Sequence, residues 1–407
     1  MRPLAVLLLA LTATPLFAEN WPVWRGPRLD GTSLEKQIPV KWSATENVVW
    51  RTELPGGGHA SPILWGNKIF TVAADPGTEE RLLICLDRAS GKMLWQRAVL
   101  KSPMERKHRE NSHASSTPAT DGERIFCTFL DGHEVVVAAY DFAGNQLWLK
   151  RPGVFSSVHG FCSTPTLHDG KVIVNCDHDG DGYIVALGQE DGRERWRIDR
   201  PNKTRSYCTP LIRKVAGRTQ MVLSGSKCVT SYDPDTGKLW WIIDGPTDQF
   251  VASMVYSERA NLFFLTAGFP EHHILAIRPG GRGNVTQTHI AWRTTHGAAY
   301  VPSPICEGDY FLVISDLGFA HCFEAKTGAL QWQERFGRQH ASLVSADGLV
   351  YFLNDKGTCN VVRPGPKFEL VASNETGEPT YASPALSEGQ IFIRGEKSLF
   401  CIGAVTR

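Results

Sequence analysis

The sequence has little excess of charge of either sign and no second long apolar run. Its 407 residues carry 43 Lys and Arg against 42 Asp and Glu, a formal net charge of +1. No long run of one sign occurs, so the chain has no electrostatic footprint for nucleic acid or an anionic membrane surface. Beyond the N-terminus, no apolar stretch approaches the roughly 20 residues that cross a bilayer. These absences exclude nucleic-acid-binding and integral membrane classes.

Signatures of hydrolytic enzymes are also missing. Neither Gly-x-Ser-x-Gly nor His-Glu-x-x-His occurs, and the 13 histidines are scattered along the chain. We therefore predict no catalytic residues and expect the chain not to be an enzyme.

The ten cysteines have no two members side by side. Most lie in apolar, strand-like runs such as LICLD and FCIGA, where Cys behaves as a small hydrophobic residue. Cys162 and Cys208 each come shortly before a Thr-Pro pair. They are the one pair that we would test for a disulfide, since exported chains usually form such bonds.

The N-terminus resembles a secretory signal peptide. Arg2 supplies a positive charge, residues 4–11 are continuously apolar, and Pro15 precedes Phe17-Ala18. The apolar run is too short for a membrane anchor. We predict cleavage after Ala18, although Leu16, the third residue before that site, is larger than signal peptidases prefer there. We expect the mature protein to be periplasmic or secreted, soluble and monomeric.

Internal repeats dominate the rest of the chain. A Ser or Thr followed by Pro recurs, and two degenerate copies fill the gaps. The eight copies are Ser61-Pro62, Thr117-Pro118, Thr164-Pro165, Thr209-Pro210, Ser253-Met254, Ser303-Pro304, Ser342-Leu343 and Ser383-Pro384. Most are followed by a Gly-containing turn and a β-branched or aromatic run such as KIFTV or KVIVN. This order predicts strand, hairpin and strand.

A second sequence motif lies at the end of most repeats. An acidic turn ending in Gly leads, four residues later, to Trp, as in Gly91 and Trp95 or Gly328 and Trp332. Asp, Ser and Thr satisfy turn amides, and Gly adopts the backbone angle that other residues rarely hold. The Trp then begins an outer strand, where its ring can be buried between neighbouring units.

This element is similar to the tryptophan-docking motif of propeller repeats of the pyrroloquinoline quinone (PQQ) type. The segments WPVWRGPRLDGTS, ELPGGGHASPILWG and DPDTGKLWW resemble a group of exported bacterial proteins with PQQ-binding-like β-propeller repeats. The same repeats occur in quinoprotein dehydrogenases and in the propeller subunit of the outer-membrane barrel-assembly machinery. The resemblance covers the whole mature chain and implies an all-β fold.

We therefore predict an eight-bladed β-propeller of four-stranded antiparallel blades over residues 47–407. The last repeat has three strands, and residues 47–54 form a strand that lacks inner neighbours. We expect that strand to complete blade eight, which removes an exposed sheet edge. Residues 19–46 are predicted to be an extension packed on the ring. Trp21 and Trp24 in it could serve as a partner-docking tail, but packing against the ring is the favoured interpretation.

Aligning the repeats predicts a polar site at one mouth of the central channel. His59, Tyr207, His340 and Tyr381 lie three residues before the Pro position, and His113 and His159 lie further upstream. Inner strands of a propeller converge on its channel, so these side chains could form a ligand pocket. The alternative is that they only cap strand ends.

A metal site has weaker support. Asp177, Asp179 and Asp181 alternate before Gly182 like the first half of a calcium loop, but the later Glu ligand is replaced by Gly188. An ordinary hairpin turn is the favoured interpretation. By resemblance, a quinoprotein would need PQQ, calcium and often adjacent cysteines. We expect no cofactor, although PQQ with calcium remains an alternative.

The sequence thus favours a non-enzymatic binding or scaffold module for an unknown protein, peptide or small ligand, with an envelope complex as one setting. A PQQ- and calcium-dependent dehydrogenase, or its degenerate relative, is the alternative. A rigid ring that presents converging loops binds at low entropic cost.

Overall fold

The computed structural model describes residues 19–403, so the predicted signal peptide and the last four residues lie outside the described part. Residues 19–403 form 33 β-strands. No helix in this part of the chain is long and apolar enough to cross a membrane. The strands are arranged in eight antiparallel sheets, and they confirm the predicted eight-bladed β-propeller.

The first four blades follow the chain in order, and each inner strand comes first. Blade 1 contains β2 (Ile63–Trp65), β3 (Lys68–Asp75), β4 (Glu80–Asp87) and β5 (Met93–Lys101). Blade 2 contains β6 (Ala119–Thr120), β7 (Arg124–Asp131), β8 (Glu134–Asp141) and β9 (Gln146–Lys150). Blade 3 contains β10 (Thr166–His168), β11 (Lys171–Cys176), β12 (Tyr183–Gly188) and β13 (Glu194–Asp199). Blade 4 contains β14 (Leu211–Val215), β15 (Arg218–Gly225), β16 (Cys228–Tyr232) and β17 (Leu239–Asp244).

The last four blades keep this plan with two changes. Blade 5 contains β18 (Val255–Ser257), β19 (Leu262–Ala267), β20 (His273–Ile277) and β22 (Ile290–Thr294), while β21 (Gly283–Asn284) pairs in parallel with β17 of blade 4. Blade 6 contains β23 (Ile305–Glu307), β24 (Tyr310–Ile314), β25 (Phe319–Glu324) and β26 (Leu330–Arg335). Blade 7 contains β27 (Val344–Ala346), β28 (Leu349–Leu353), β29 (Thr358–Val362) and β30 (Leu370–Glu375). Blade 8 contains β31 (Ala385–Ser387), β32 (Gln390–Arg394) and β33 (Ser398–Ile402), with β1 (Val48–Glu53) at its outer edge.

The two middle strands of each blade are buried almost throughout, because both of their faces meet neighbouring blades. In β3, for example, all six residues from Ile69 to Ala74 are buried. Such strands are continuous apolar runs rather than alternating ones. The ten cysteines are all free thiols, including Cys162 and Cys208, and eight of them are buried.

The Trp residues of the outer strands join most blades to the next. The Trp95 indole of blade 1 donates from Nε1 to the Phe142 carbonyl oxygen of blade 2 at 3.2 Å. Its ring lies against Gly144, where a Cβ would be only 3.0 Å from the indole. Glycine is required at that position for two reasons. The indole leaves little room for a side chain, and the φ of +85° is one that other residues rarely adopt. Trp148, Trp196, Trp292 and Trp50 repeat this arrangement at other junctions.

The junction between blades 7 and 8 is built differently. Ala372 of β30 occupies the register position that Trp332 has in blade 6. Trp42, from the N-terminal extension, supplies an indole there instead and stacks on Tyr351 with ring centroids 6.5 Å apart. Its backbone N–H donates to the Asn374 side chain at 3.0 Å. The chain thus inserts a remote tryptophan where its own repeat lacks one.

Candidate functional site

Residues 19–35, here called the floor segment, cross one end of the central channel. Trp21 exchanges two backbone hydrogen bonds with Leu64 of blade 1, and Thr120 of blade 2 donates to the Pro22 carbonyl oxygen at 2.9 Å. On the far side of the channel, Ser345 of blade 7 donates to the Gly31 carbonyl oxygen at 2.9 Å. The segment therefore reaches from one side of the ring to the other.

Buried charged and aromatic groups hold the floor segment in place. Asp30 forms a 2.6 Å ion pair with Arg213 of blade 4. Arg25 is buried and donates to the Pro304 carbonyl oxygen of blade 6 at 2.6 Å. Trp21 is fully buried, whereas Trp24 lines the channel. Both indoles contact the ring, and Trp24 forms the lower wall of the cavity described next.

Two rings of side chains line the channel above the floor segment. The first, here called the hydroxyl belt, consists of the Ser or Thr directly before each Pro position: Ser61, Thr117, Thr164, Thr209, Ser253, Ser303, Ser342 and Ser383. Six backbone N–H groups of the belt each donate to the hydroxyl of the next blade at 2.8–3.2 Å. These hydrogen bonds link six of the eight blade junctions, all except those between blades 3 and 4 and between blades 8 and 1, and they give the repeated Ser and Thr a structural role.

The second ring, here called the rim ring, lies two residues before the belt and nearer the open end. Its members are His59, Ser115, Cys162, Tyr207, Val251, Val301, His340 and Tyr381, and all eight line a cavity of about 120 Å³. Six members of the hydroxyl belt and Trp24 complete the lining. The floor segment closes the lower end, so the open side of the rim ring is the way in.

A larger cavity of about 440 Å³ lies over the rim ring. It shares five rim-ring residues with the channel cavity and adds side chains from the surrounding loops. The shared residues are Cys162, Tyr207, Val251, Val301 and His340, and the added ones are His108, Glu110, Asn111, His159, Tyr300, Asp316 and Arg338. We call this space the mouth cavity.

Residues 102–118, the connection between blades 1 and 2, form a strap at the mouth cavity. Its base is fixed by the buried pair of Glu105 with Arg81, and Asn111 donates to the His159 carbonyl oxygen at 2.8 Å. Its Glu110 reaches Arg338, before blade 7, in a 2.7 Å ion pair. About half of the Arg338 side chain is exposed, so this contact is the weakest of the three.

On one side of the mouth, His159 and Tyr207 form a connected pair. The His159 Nδ1 and the Tyr207 hydroxyl oxygen are 3.0 Å apart, and Ser157 also contacts that hydroxyl. Burial, with the nearby positive charge of Arg205, lowers the pKa of His159. Burial also raises the pKa of Tyr207. Both groups are therefore neutral hydrogen-bonding groups near pH 7.

On the opposite side, His340 is paired with Asp355. Its Nδ1 lies 2.8 Å from the Asp355 carboxylate, and its Nε2 lies 3.9 Å from Glu110. Burial lowers the pKa of His340, but the hydrogen bond and charge of Asp355 outweigh it and leave the pKa raised. His340 thus carries more positive charge near neutral pH than an ordinary histidine.

His59 differs sharply from its rim-ring neighbour. Burial, together with the positive charges of Arg394 and His340, lowers the pKa of His59 to about 3. Its ring stacks on Tyr381 with centroids 4.6 Å apart. His59 is therefore a neutral packing and hydrogen-bonding group.

The structure brings five of the six predicted mouth residues to the two cavities. His113 is the exception, because its Nε2 lies 2.9 Å from the Glu105 carbonyl oxygen within the strap, and it lines neither cavity. The position within the repeat separates these residues. Rim-ring members lie two residues before the belt, and in this blade that position is Ser115, two residues after His113. The same position would have found Cys162, Val251 and Val301, whose types do not suggest a site.

The three aspartates of the predicted calcium loop are directed to three different cations. This loop is the hairpin between β11 and β12, as the turn interpretation expected. Asp177 pairs with buried Arg200 at 2.8 Å. Asp179 pairs with Arg205, and Asp181 pairs with Lys203. Among residues 19–403, no group of three or more His, Cys, Asp or Glu is arranged to hold a metal ion.

Comparisons with known proteins agree with this geometry. A family model described as outer membrane protein assembly factor BamB matches residues 79–254. No curated protein matches the chain by sequence. The structure of BamB from Moraxella catarrhalis is similar with a TM-score of 0.59 at 12% identity, over 88% of this chain and 98% of that one. Residues 79–254 are thus similar to PQQ-like β-propeller repeats, and the likeness to BamB shows the propeller fold.

Two redox enzymes share the propeller fold. A quinohemoprotein alcohol dehydrogenase from Comamonas testosteroni is similar with a TM-score of 0.66 at 11% identity, over 95% of this chain and 81% of that one. A europium-containing methanol dehydrogenase has a TM-score of 0.58 at 12% identity, over 93% of this chain and 90% of that one. At these identities the likeness shows the fold alone.

Proposed function

We propose that this propeller is a non-enzymatic binding module that acts outside the cytoplasm and holds a segment of a partner protein in its mouth cavity. The observation that carries the proposal is the closed lower end of the channel. Because the floor segment seals that end, the converging side chains form a pocket with one open side. Such pockets bury most of a bound group and orient it by a few polar contacts.

The surface around the mouth cavity supports a protein partner. The side chains of Val158 and Leu317 are each 66% exposed. Val158 directly precedes His159 and Leu317 directly follows Asp316, and both His159 and Asp316 line the mouth cavity. Phe269 is 52% exposed and lies beside Tyr300, with ring centroids 6.5 Å apart. Apolar groups around a polar pocket are typical of surfaces that bind proteins. The match to a model named for an outer-membrane assembly factor supports the same reading.

The alternative is a dehydrogenase that uses PQQ with calcium, which the redox enzymes of the same fold suggest. The residues around the mouth do not fit it well. Glu110 is paired with Arg338, and Asp316 accepts two backbone N–H groups from Tyr300 and Val301. No metal-holding group occurs among residues 19–403. A shift in PQQ absorbance with dye reduction by alcohols would nevertheless overturn the binding-only proposal.

Site-specific photo-crosslinking tests the proposal with matched positions. A crosslinker replaces Val158 at the mouth or Leu34 in the floor segment, since both side chains are 66% exposed. In the source cells, the Val158 variant should capture a defined protein, and the Leu34 variant should not. Adding Val301→Trp, which fills the mouth cavity, should abolish the capture. Equal capture at both positions, or capture that survives Val301→Trp, would contradict the proposal.

A further inference from the structure

The hydroxyl belt leaves a set of hydrogen-bond donors without protein partners. A Ser or Thr hydroxyl has one donor hydrogen and two acceptor sites. In six belt members, the oxygen accepts the N–H of the preceding blade. Within the described residues, none of these six hydroxyls donates its hydrogen to a protein acceptor. Four of the six line the channel cavity: Thr117, Thr164, Ser342 and Ser383.

Thr209 adds a further donor to the same space. Its side chain lines the channel cavity and is 7% exposed. Its backbone N–H donates to Ser253, but its hydroxyl has no hydrogen-bond partner among residues 19–403. A hydroxyl that is open to a cavity and free of protein partners can donate to a bound acceptor. The cavity therefore favours an occupant that accepts hydrogen bonds.

The electrostatics of the channel favour a negative occupant. The lining of the channel cavity includes no carboxylate, in contrast to the mouth cavity, which has Glu110 and Asp316. Two guanidinium groups are buried nearby: Arg394 contacts the Ala60 carbonyl oxygen beside the belt, and Arg25 contacts that of Pro304. Each has two nitrogen atoms without a hydrogen-bond partner in the described structure.

Neither arginine is neutralised in the usual way. Among residues 19–403, Arg394 and Arg25 form no ion pair within 4 Å of a carboxylate, and the nearest acid to Arg25, Asp30, is paired with Arg213. An unpaired buried charge is costly, and an ion of opposite sign relieves that cost. Arg394 contacts blade 1 and Arg25 contacts blade 6, so both raise the electrostatic potential within the channel.

We propose that the part of the channel cavity at the hydroxyl belt, above Trp24, is a binding site for a small inorganic anion such as a halide. The hydroxyl hydrogens would contact the anion, and Arg25 and Arg394 would supply the positive field. A volume of about 120 Å³ leaves room for one such ion with water. This site lies below the mouth cavity, with which the channel cavity shares five rim-ring residues, and it does not depend on the proposed partner binding.

Bromide serves as the probe, because it scatters anomalously and resembles chloride in size. Crystals of the mature chain grown in sodium bromide should show an anomalous peak inside the hydroxyl belt. Peaks at the protein surface only, with water in the channel, would overturn the proposal.

A solution measurement guards against binding that occurs only in crystals. Melting temperature is compared in sodium bromide and in sodium gluconate of equal ionic strength, since gluconate is too large for the cavity. Bromide should raise the melting temperature in a saturable way. Equal melting temperatures in the two salts would overturn the proposal.

Matched variants locate the effect. Thr209→Val removes a lining hydroxyl that no other group uses, so the ring of belt hydrogen bonds is kept. It should weaken bromide binding roughly tenfold, the value of one hydrogen bond to a charge. Ser231→Ala removes a buried hydroxyl that donates to Gln220 within blade 4, outside the belt and the cavity lining, and should leave the bromide affinity unchanged, even if the protein is less stable. The same affinity in Thr209→Val as in the unsubstituted chain would contradict the proposed site.

Discussion

The two ends of the channel are built from different interactions. At the lower end, the floor segment is held by backbone bridges, a fully buried indole and the Asp30–Arg213 pair, whose side chains are only 10% and 16% exposed. At the upper end, the strap reaches across by the Glu110–Arg338 pair, whose side chains are 32% and 51% exposed. Buried contacts resist opening, whereas exposed ion pairs contribute little. We therefore expect the lower end to stay closed and the strap at the upper end to open more readily.

Removing the buried indole should break the floor most severely. Trp21→Ala deletes a fully buried ring, and we expect it to lower the free energy of unfolding by about 3–5 kcal/mol, as for other buried Trp and Phe residues. Urea denaturation measures this change. Leu34→Ala, in the same segment but 66% exposed, is the control and should change it by less than about 0.5 kcal/mol. Similar losses in the two variants would mean that the segment is not packed as described.

The ion pair of the floor should come next. Asp30→Asn leaves Arg213 without its carboxylate in a nearly buried place and should cost roughly 3 kcal/mol, the lower end for a broken buried pair. Asp30 also accepts hydrogen bonds from the N–H and hydroxyl of Thr32, at 3.0 and 2.7 Å. Thr32→Val separates that smaller contribution. If Asp30→Asn unfolds at the same urea concentration as the unsubstituted chain, the floor does not rest on this pair.

The matching change at the mouth should be much milder. Glu110→Gln removes the exposed pair with Arg338 and should lower the free energy of unfolding by less than about 1 kcal/mol. It should instead speed hydrogen exchange in the strap while leaving the floor segment unchanged. A stability loss as large as that of Asp30→Asn would contradict the difference between the two ends.

A further expected effect concerns pH and separates two rim-ring histidines. The pKa of His59 is lowered to about 3, chiefly by burial. Its contribution to stability is therefore complete above the unfolded value near 6.5 and is lost as pH falls below it. The pKa of His340 is raised, since Asp355 outweighs the effect of burial. Its contribution is present below about pH 6.5 and is lost as pH rises through the raised value.

Replacing each histidine by Gln should change the pH dependence in opposite directions. His59→Gln should remove a loss of stability on the acid side, and His340→Gln should remove one on the neutral to basic side. Chemical denaturation at several pH values measures both. Shifts of the same sign would show that the two environments have been assigned wrongly.

The repeat made much of the upper end predictable. Each Ser/Thr-Pro position fixes where a blade begins, so His59, Tyr207, His340 and Tyr381 fell into one ring from their spacing alone. The same spacing placed the Trp residues at blade junctions. Because the last repeat has only three strands, residues 47–54 were expected to complete blade eight, and β1 pairs there with β33.

Features outside the repeat could not be predicted in the same way. The sequence indicated that residues 19–46 pack on the ring, but not that Trp21 and Asp30 close the channel. Glu110 and Arg338 are close together only in the folded protein, since they are 228 positions apart in the chain. Ala372 and Trp42 show the same limit, because a junction that lacks its own Trp recruits one from 330 positions away in a segment without repeat partners.

Hydrogen exchange measured by mass spectrometry shows whether the floor segment is held more firmly than the strap, because it compares both ends of the channel in one unsubstituted protein. We expect the backbone amides of the floor segment, especially those of Trp21 and Gly31, to exchange as slowly as those in the strands of blades 1 and 7. Strap amides near Glu110 should exchange at least about 100-fold faster, as weakly held segments do. Equal protection of the two segments, or faster exchange in the floor, would contradict a channel that is sealed below and open above.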